Sequence, residues 1–275
     1  MTSTVLITGC SSGIGAATVR HFAAQGWNVA ATLRDPAAAH FEDSAGKVAS
    51  FALDVTDPQS VDAAVAQAVE RFGHIDVLIN NAGYGLFGPF ETATQEVIER
   101  QFQTNVFGVF AVTRAVLPHM RERAGGVIIN VASLTGLVAM PLYSLYAASK
   151  FAVVGFSESL SHELAPLGIR VKVFAPGAVA TDFSGRSLAR TFEGDGGPYA
   201  DSIRKVMAVF AANRGTSNAS TAEQLAQALY DAATDGSGQV RYVVGDDATA
   251  LMQARKDIGD EALMGAMRQR FGLST

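Results

Sequence analysis

The stretch LYSLYAASK, residues 142–150, sets two tyrosines three positions apart ahead of a lysine. A phenol beside an ammonium is an acid/base pair, because the cation favours the phenolate. Helical spacing chooses between the tyrosines. Side chains four apart share one face, whereas those seven apart sit about two turns away. Lys150 lies four after Tyr146 and seven after Tyr143, so only the Tyr146 phenol falls directly under its charge. Tyr143 is left as a packing or substrate-pocket residue. A second stretch, TGCSSGIG at 8–15, suits phosphate chemistry. Gly9, Gly13 and Gly15 let a dinucleotide pyrophosphate approach the backbone, at a helix N-terminus whose N–H groups and dipole favour anions. The spacing is wider than G-x-G-x-x-G, with three residues between the first two glycines. Cys10, in the same loop, has no obvious base partner and is read as a tolerated loop position.

These loops need rigid elements behind them, and apolar periodicity provides them. VLIT (5–8), NVAATL (28–33), KVASFAL (47–53) and DVLIN (76–80) read as buried strands. GVIINVA (126–132), IRVKVFA (169–175) and RYVVG (241–245) continue the series. Between them run helical patterns at 12–25, from about 94 to 117, at 146–165 and at 221–233. The helix after Asp57 has that residue as N-cap, Pro58 as first helical residue and Gly73 as stop. Asp246 and Asp247 read as a helix start rather than a metal site. Segment 183–220, rich in Gly, Ser and Asn, breaks the rhythm and is read as a mobile substrate lid. Apolar strands alternating with helices imply an α/β fold with a doubly wound parallel sheet. No linker or internal repeat divides the chain, so residues 1–275 form one domain. An eight-fold β/α barrel also fits the length, and the glycine loop after the first strand decides for the open sheet.

Composition narrows the class. The chain is 48% hydrophobic and 17% charged, which suits a sheet covered on both faces or burial in an oligomer. A net charge of −5 without a basic run argues against nucleic acid. One cysteine excludes an intrachain disulfide framework and suits a reducing compartment. MTSTVLITGC has no basic residue before its apolar stretch, unlike a signal peptide. The apolar run at 106–112 is far short of a membrane span. A soluble cytoplasmic protein is expected. The histidines show no H-E-x-x-H or other ligand spacing, so no catalytic metal is expected.

In order along the chain, TGxxxGIG, LDV (53–55), NNAG (80–83), NVFG (105–108), Ser133, YAASK (146–150) and PGAVAT (176–181) resemble the motifs of the short-chain dehydrogenase/reductases. The resemblance covers about Val5 to Thr181. LITGCSSGIG, ATLRD and YAASKFA look most like the hydroxysteroid- and retinol-dehydrogenase branch. It implies a Rossmann fold and hydride transfer between a nicotinamide cofactor and a carbonyl or alcohol. Tyr146 would be the acid/base, Ser133 would hold the substrate oxygen, and Lys150 would bond the nicotinamide ribose. Asn105 would link Lys150 through water to solvent. Gly9, Ser11, Ser12, Gly13, Ile14 and Gly15 would cradle the cofactor. Asp54 would bond its adenine, with Val55, Asn81, Ala82, Gly83, Pro176, Gly177, Val179 and Thr181 completing the site.

A free phenol titrates near 10, too high for efficient catalysis at neutral pH. Lowering it by about three units needs about 4 kcal/mol, which an ammonium about 4 Å away at an effective dielectric near 20 can supply. Lys150 is therefore expected to lower the Tyr146 pKa. ATLRD (31–35) bears on the cofactor. Family members preferring NAD carry an acidic residue at the last strand position, here Leu33, and those preferring NADP a basic one next, here Arg34. NADP is expected, with Asp35 as the opposing charge unless it points away. The 94–117 and 146–165 helices are apolar on more than one stripe. In the family these helices pair across a two-fold axis, implying a homodimer or homotetramer. The expected substrate is a steroid-like, retinoid-like or other hydrophobic ketone. A 3-oxoacyl-thioester or sugar reductase, or a catalytically silent cofactor-binding regulator, are the alternatives.

Overall fold

The computed structural model describes residues 2–38, 41, 46–180, 188–213 and 219–274. The chain opens with β1 (Thr4–Thr8), α1 (Gly13–Ala24), β2 (Asn28–Leu33), β3 (Val48–Ala52), α2 (Pro58–Phe72) and β4 (Val77–Asn80). A short β5 (Gly85–Phe87) precedes α3 (Gln95–Phe102), a π turn (Gln103–Phe107) and α4 (Gly108–Glu122). Then come β6 (Gly126–Val131), α5 (Ser144–Leu164), β7 (Ile169–Pro176) and a short β8 (Leu188–Arg190). The chain closes with α6 (Ala200–Asn213), α7 (Ala222–Thr234), β9 (Arg241–Val244), α8 (Asp246–Ile258) and α9 (Asp260–Arg270).

Among the described residues, seven strands pair in parallel in the order β3-β2-β1-β4-β6-β7-β9. The winding reverses between β1 and β4, where an open α/β sheet leaves a crevice at its strand C-termini. Alternate residues of β1 explain why both faces are covered. Val5 and Ile7 pack under α1 and α7, against Val19, Phe22, Leu225 and Leu229. Leu6 faces the other way, with Val61 and Val65 of α2, Val112 and Val116 of α4 and Leu160 of α5. Each side chain so buried contributes about 1.5–3 kcal/mol. This is the doubly wound Rossmann arrangement expected from the strand runs.

The second helix starts and stops as its sequence dictates. Asp57 accepts the Gln59 N–H at 2.9 Å, and Gly73 ends it at φ +84°. The expected 94–117 helix differs in two ways. It is interrupted by the π turn that carries Asn105, and it runs through Pro118 to Glu122. A π turn shifts the hydrogen-bond ladder by one residue, a common feature of functional sites.

The expected lid is described in part; residues 181–187 and 214–218 lie outside the described residues. Leu188–Arg190 is not loop but pairs in parallel with β5, Leu86 opposite Ala189. Thr191 Oγ1 ties this pair down by donating to the Pro89 carbonyl at 2.9 Å. Helix α6 packs through Ile203 and Val206 on Leu263 and Met267 of α9 and on Phe271. Three-residue strands carry too little periodicity to be read from sequence.

Lys172 of β7 is a charge inside the core, 1% exposed. Its Nζ donates to Asp235 Oδ1 (2.6 Å), the Ala232 carbonyl (2.7 Å) and Tyr242 Oη (2.8 Å), joining β7 to the end of α7 and to β9. No helix among the described residues is long and apolar enough to cross a membrane.

Candidate active site

The loop between β1 and α1 holds its shape through close backbone packing. Gly9 adopts φ +72°, and a Cβ there would lie 2.8 Å from Ala82 Cα. A Cβ on Gly15 would meet the Gly9 carbonyl oxygen at 2.3 Å, whereas Gly13, at φ +56°, faces open space. Ser12 precedes α1 without capping it through its side chain, and Ser11 and Ser12 are exposed. Ile14 packs against the α1 face of the core. Asn81 pins the loop to β4: its Nδ2 donates to the carbonyls of Thr8 (2.9 Å) and Gly9 (3.2 Å). The Thr8 hydroxyl accepts from the N–H groups of Asn81 and Ala82. Asn81 thus shapes the cradle with its side chain. Cys10 is fully buried, donates to the Ile7 carbonyl, and has its thiol pushed up to about 12 by burial.

Past β2, Arg34 is exposed while Leu33 is buried. The Asp35 carboxylate accepts the Ala37 N–H at 3.0 Å, capping the turn Pro36–Ala38. Partial burial opposes the Asp54 charge, but the Thr56 N–H and hydroxyl, with Arg34 nearby, hold its pKa below the usual value. Val55 packs on Gly108, where a Cβ would approach its Cγ2 to 2.7 Å.

The four residues expected to be catalytic come together at the strand C-termini. Ser133 follows β6 and its Oγ accepts the Thr135 N–H at 3.1 Å. Its hydroxyl also hydrogen-bonds the Tyr146 phenol. Lys150 Nζ donates to the Val131 carbonyl at 2.8 Å and sits 5.9 Å from the Tyr146 ring centre. Asn105 is wholly buried and satisfied: Nδ2 donates to the Tyr84 carbonyl (2.9 Å) and Oδ1 accepts the Tyr84 N–H (3.1 Å). Gly83 lies between them, its Cβ position 3.1 Å from Asn105 Oδ1 and 3.6 Å from Lys150 Nζ. Tyr143 directly precedes α5, and its ring centre lies 5.2 Å from that of Phe87, 5.7 Å from Phe210 and 6.0 Å from Tyr146.

The electrostatics correct one expectation. Burial pushes the Tyr146 phenol up to about 12, despite the Ser133 hydrogen bond and with Tyr143 adding to the rise. Burial also pulls the Lys150 ammonium down to about 8. Burial outweighs the influences that favour the phenolate, and the Lys150 ammonium is itself desolvated and bonded to the Val131 carbonyl. The resting site therefore holds a protonated phenol.

After β7, Gly177 N–H donates to the Val244 carbonyl and Val179 bridges to Ser220, keeping the segment after Pro176 beside Ser133. Thr181, also expected in the cofactor site, lies outside the described residues.

A model of the short chain dehydrogenases matches residues 3–190. The chain belongs to that family. A 3-ketodihydrosphingosine reductase of Bacteroides thetaiotaomicron is 41% identical over 205 residues, 74% of either protein. A solved short-chain dehydrogenase of Streptomyces avermitilis superposes with TM-score 0.82 at 32% identity, covering 93% of this chain and 92% of that one. A 3-ketoacyl-(acyl-carrier-protein) reductase of Brucella melitensis, solved with NADH, gives 0.72 at 31% identity, covering 88% and 96%. This short-chain dehydrogenase is an NAD(P)-dependent oxidoreductase acting on CH–OH groups.

Two polar residues escaped the sequence reading. Ser149 Oγ donates to the Tyr146 carbonyl (2.7 Å) and accepts from Gln101 Nε2 and Asn105 Nδ2, both at 3.3 Å. Gln101, 0% exposed, also donates to the Tyr84 carbonyl. The signal was present: Gln101 stands one helical turn before Asn105, and Ser149 directly precedes Lys150. Among the described residues, no group of three or more His, Cys, Asp or Glu side chains forms a metal site.

Proposed function

We propose that this enzyme is an NADP(H)-dependent reductase of hydrophobic ketones, with Tyr146 as proton donor, and the corresponding alcohol dehydrogenase in reverse. The carrying observation is the buried phenol hydrogen-bonded by Ser133, with Leu86, Leu145 and Tyr143 packed around Tyr146. Tyr143 continues into an apolar cluster with Phe87, Val138, Met140 and Leu142. None of these named residues is charged, which favours an apolar substrate over a phosphate-bearing one. The reduction of a long-chain ketone named for the Bacteroides relative points the same way.

The cradle fits a dinucleotide: open space stands over Gly13, at the N-terminus of a helix left without a side-chain cap. Gly9, Ser11, Ser12, Gly13, Ile14 and Gly15 would hold the pyrophosphate and the adenosine half, with Asp54 and Val55 at the adenine. Ala82, Gly83, Lys150 and the segment Pro176, Gly177, Val179 and Thr181 would meet the nicotinamide half. Bound there, the cofactor supplies or accepts the hydride. Ser133 orients the carbonyl oxygen, which takes the Tyr146 proton as the carbon is reduced. Lys150, with water reached through the Asn105 turn, returns a proton to Tyr146. NADPH consumption over a panel of ketones tests the reading. Turnover of ring-bearing or long-chain apolar ketones is expected. Turnover of sugars or acyl thioesters alone overturns the substrate class, and binding without any turnover marks a regulator.

The high phenol pKa gives the reaction a pH signature. Reduction needs the protonated phenol and is expected to be flat through neutrality. Oxidation needs the phenolate, so its kcat/KM rises with pH, by up to about tenfold per unit. Oxidation independent of pH between about 6 and 9 contradicts the assignment.

NADP is preferred because Arg34 is exposed at the strand end, with Asp35 engaged by Ala37. One charge-assisted bond to the 2′-phosphate is worth about 1.5–3 kcal/mol, a preference of at least roughly tenfold. Leu33→Asp with Arg34→Ala is expected to reverse the order in kcat/KM. Wild-type enzyme that prefers NAD sinks this assignment alone.

A homodimer or homotetramer is proposed from the outer face of α4 and α5. Phe107, at the end of the π turn, is 55% and Phe151 42% exposed, and Phe110 meets Phe107 edge-on and Phe156 at a tilt beside them. Light scattering is expected to give a multiple of the chain mass, and a monodisperse monomer at micromolar concentration removes the claim.

A further inference from the structure

The segment that follows Pro176 begins beside Ser133, since β7 runs next to β6 with Val131 opposite Phe174. Its backbone is held from the C-terminal third of the chain. Gly177 N–H donates to the Val244 carbonyl (2.9 Å), and Ala178 and Ala180 exchange bonds with the Ser220 backbone (3.0 and 2.9 Å). The Ala178 N–H goes instead to a side chain. Asp247 Oδ2 accepts it at 2.7 Å.

Two glycines make room for that carboxylate. A Cβ on Gly177 would stand 2.1 Å from Asp247 Oδ1, and one on Gly245 2.9 Å from the same atom. Asp247 Oδ1 is buried and has no hydrogen-bond partner among the described residues. A carboxylate oxygen stripped of water and left unpaired is costly. The first turn of α8, where Asp247 sits, offsets part of that cost through its dipole. What this side chain supplies in return is the acceptor for the Ala178 N–H.

We infer that Asp247 is a positioning residue for cofactor binding. It fixes the Ala178 N–H, and with it the Pro176–Val179 backbone, at the reacting end of the cofactor. The inference rests on the proposed cofactor site, and Asp247 lies beyond residues 3–190, which the family model matches.

The test is the dissociation constant for NADPH, read by fluorescence titration of purified enzyme, beside kcat, ketone KM and Tm. Asp247→Ala is expected to weaken NADPH about ten- to a hundredfold, the equivalent of one charge-assisted hydrogen bond. Its kcat at saturating cofactor stays within about threefold of wild type, since no reacting group is removed. Asp247→Asn keeps an acceptor for Ala178 and is expected to restore affinity to within about threefold. A merely structural role lowers Tm and leaves the affinity of folded enzyme unchanged. Folded Asp247→Ala binding NADPH within about twofold of wild type overturns the inference. Should that variant not fold, Asp247→Glu replaces it: its carboxylate is displaced by one methylene, weakened binding is expected, and wild-type affinity overturns the inference. If wild-type enzyme binds no nicotinamide dinucleotide, the functional reading fails instead.

Discussion

Replacing Tyr146 with Phe is expected to lower kcat/KM for ketone reduction by about 10²–10⁴-fold, the usual contribution of a positioned general acid. The effect is chemical rather than structural. Tyr146 is 7% exposed and packs beside Leu86 and Leu145, so the Phe ring keeps its contacts and only the phenol is lost. NADPH is therefore expected to bind within about twofold of wild type. Tyr143→Phe should keep a substantial part of the rate, because Tyr143 meets Phe87 and Phe210 through its ring. Equal losses in the two variants contradict the assignment. Lys150→Ala differs from both. Its Nζ lies in the cluster with Gly83 and Asn105, so rate and cofactor affinity are expected to fall together. Unchanged NADPH binding in that variant contradicts its dual role.

The second large effect concerns stability. Asp235→Ala is expected to destabilise the fold by about 3 kcal/mol, near the lower end for breaking a buried ion pair, because Asp235 is 29% exposed. The reason is the partner left behind. Lys172, 1% exposed, would keep only the Ala232 carbonyl and the Tyr242 hydroxyl for its charge. Thermal unfolding is expected to drop by roughly 6–12 °C in a chain of this size. Lys172→Met removes the buried charge and is expected to lose less. A smaller loss for Asp235→Ala than for Lys172→Met contradicts this account. Partial burial opposes the Asp235 charge, yet Lys172, Tyr242 and Ser237 hold its pKa far below the usual carboxylate range. Its folded pKa is thus below the unfolded value of about 3.9. The stabilisation is complete above that value and is lost as pH falls through it towards the folded pKa. Denaturant midpoints should therefore drop more steeply on acidification in wild type than in Asp235→Asn.

Much of this was legible in the residues, and the illegible parts have physical causes. Buried parallel strands are continuous apolar runs, so β1, β2, β4, β6 and β7 stood out, and the glycines after β1 marked where the sheet turns to its ligand. Tyr146 and Lys150 were separable from Tyr143 because helical spacing is rigid. The π turn at Asn105 was not legible, since inserting one residue in a helical turn leaves no compositional mark. Nor were the β5–β8 pair, three residues each, or the Asp247 contact, which joins residues 69 apart. The Tyr146 pKa was misjudged for a related reason. Spacing sets the ammonium near the phenol, but the desolvation of both groups exists only in the folded chain.

The central claim is that a nicotinamide hydride reaches a ketone carbon while Tyr146 protonates its oxygen. Single-turnover reduction with NADPH carrying deuterium at the transferred position tests it most directly. Wild-type enzyme is expected to deliver the label to the carbinol carbon of an apolar alcohol, and Tyr146→Phe to bind the labelled cofactor and deliver almost none. Label transfer by Tyr146→Phe at the wild-type rate, or a wild-type alcohol without the label, would contradict the account.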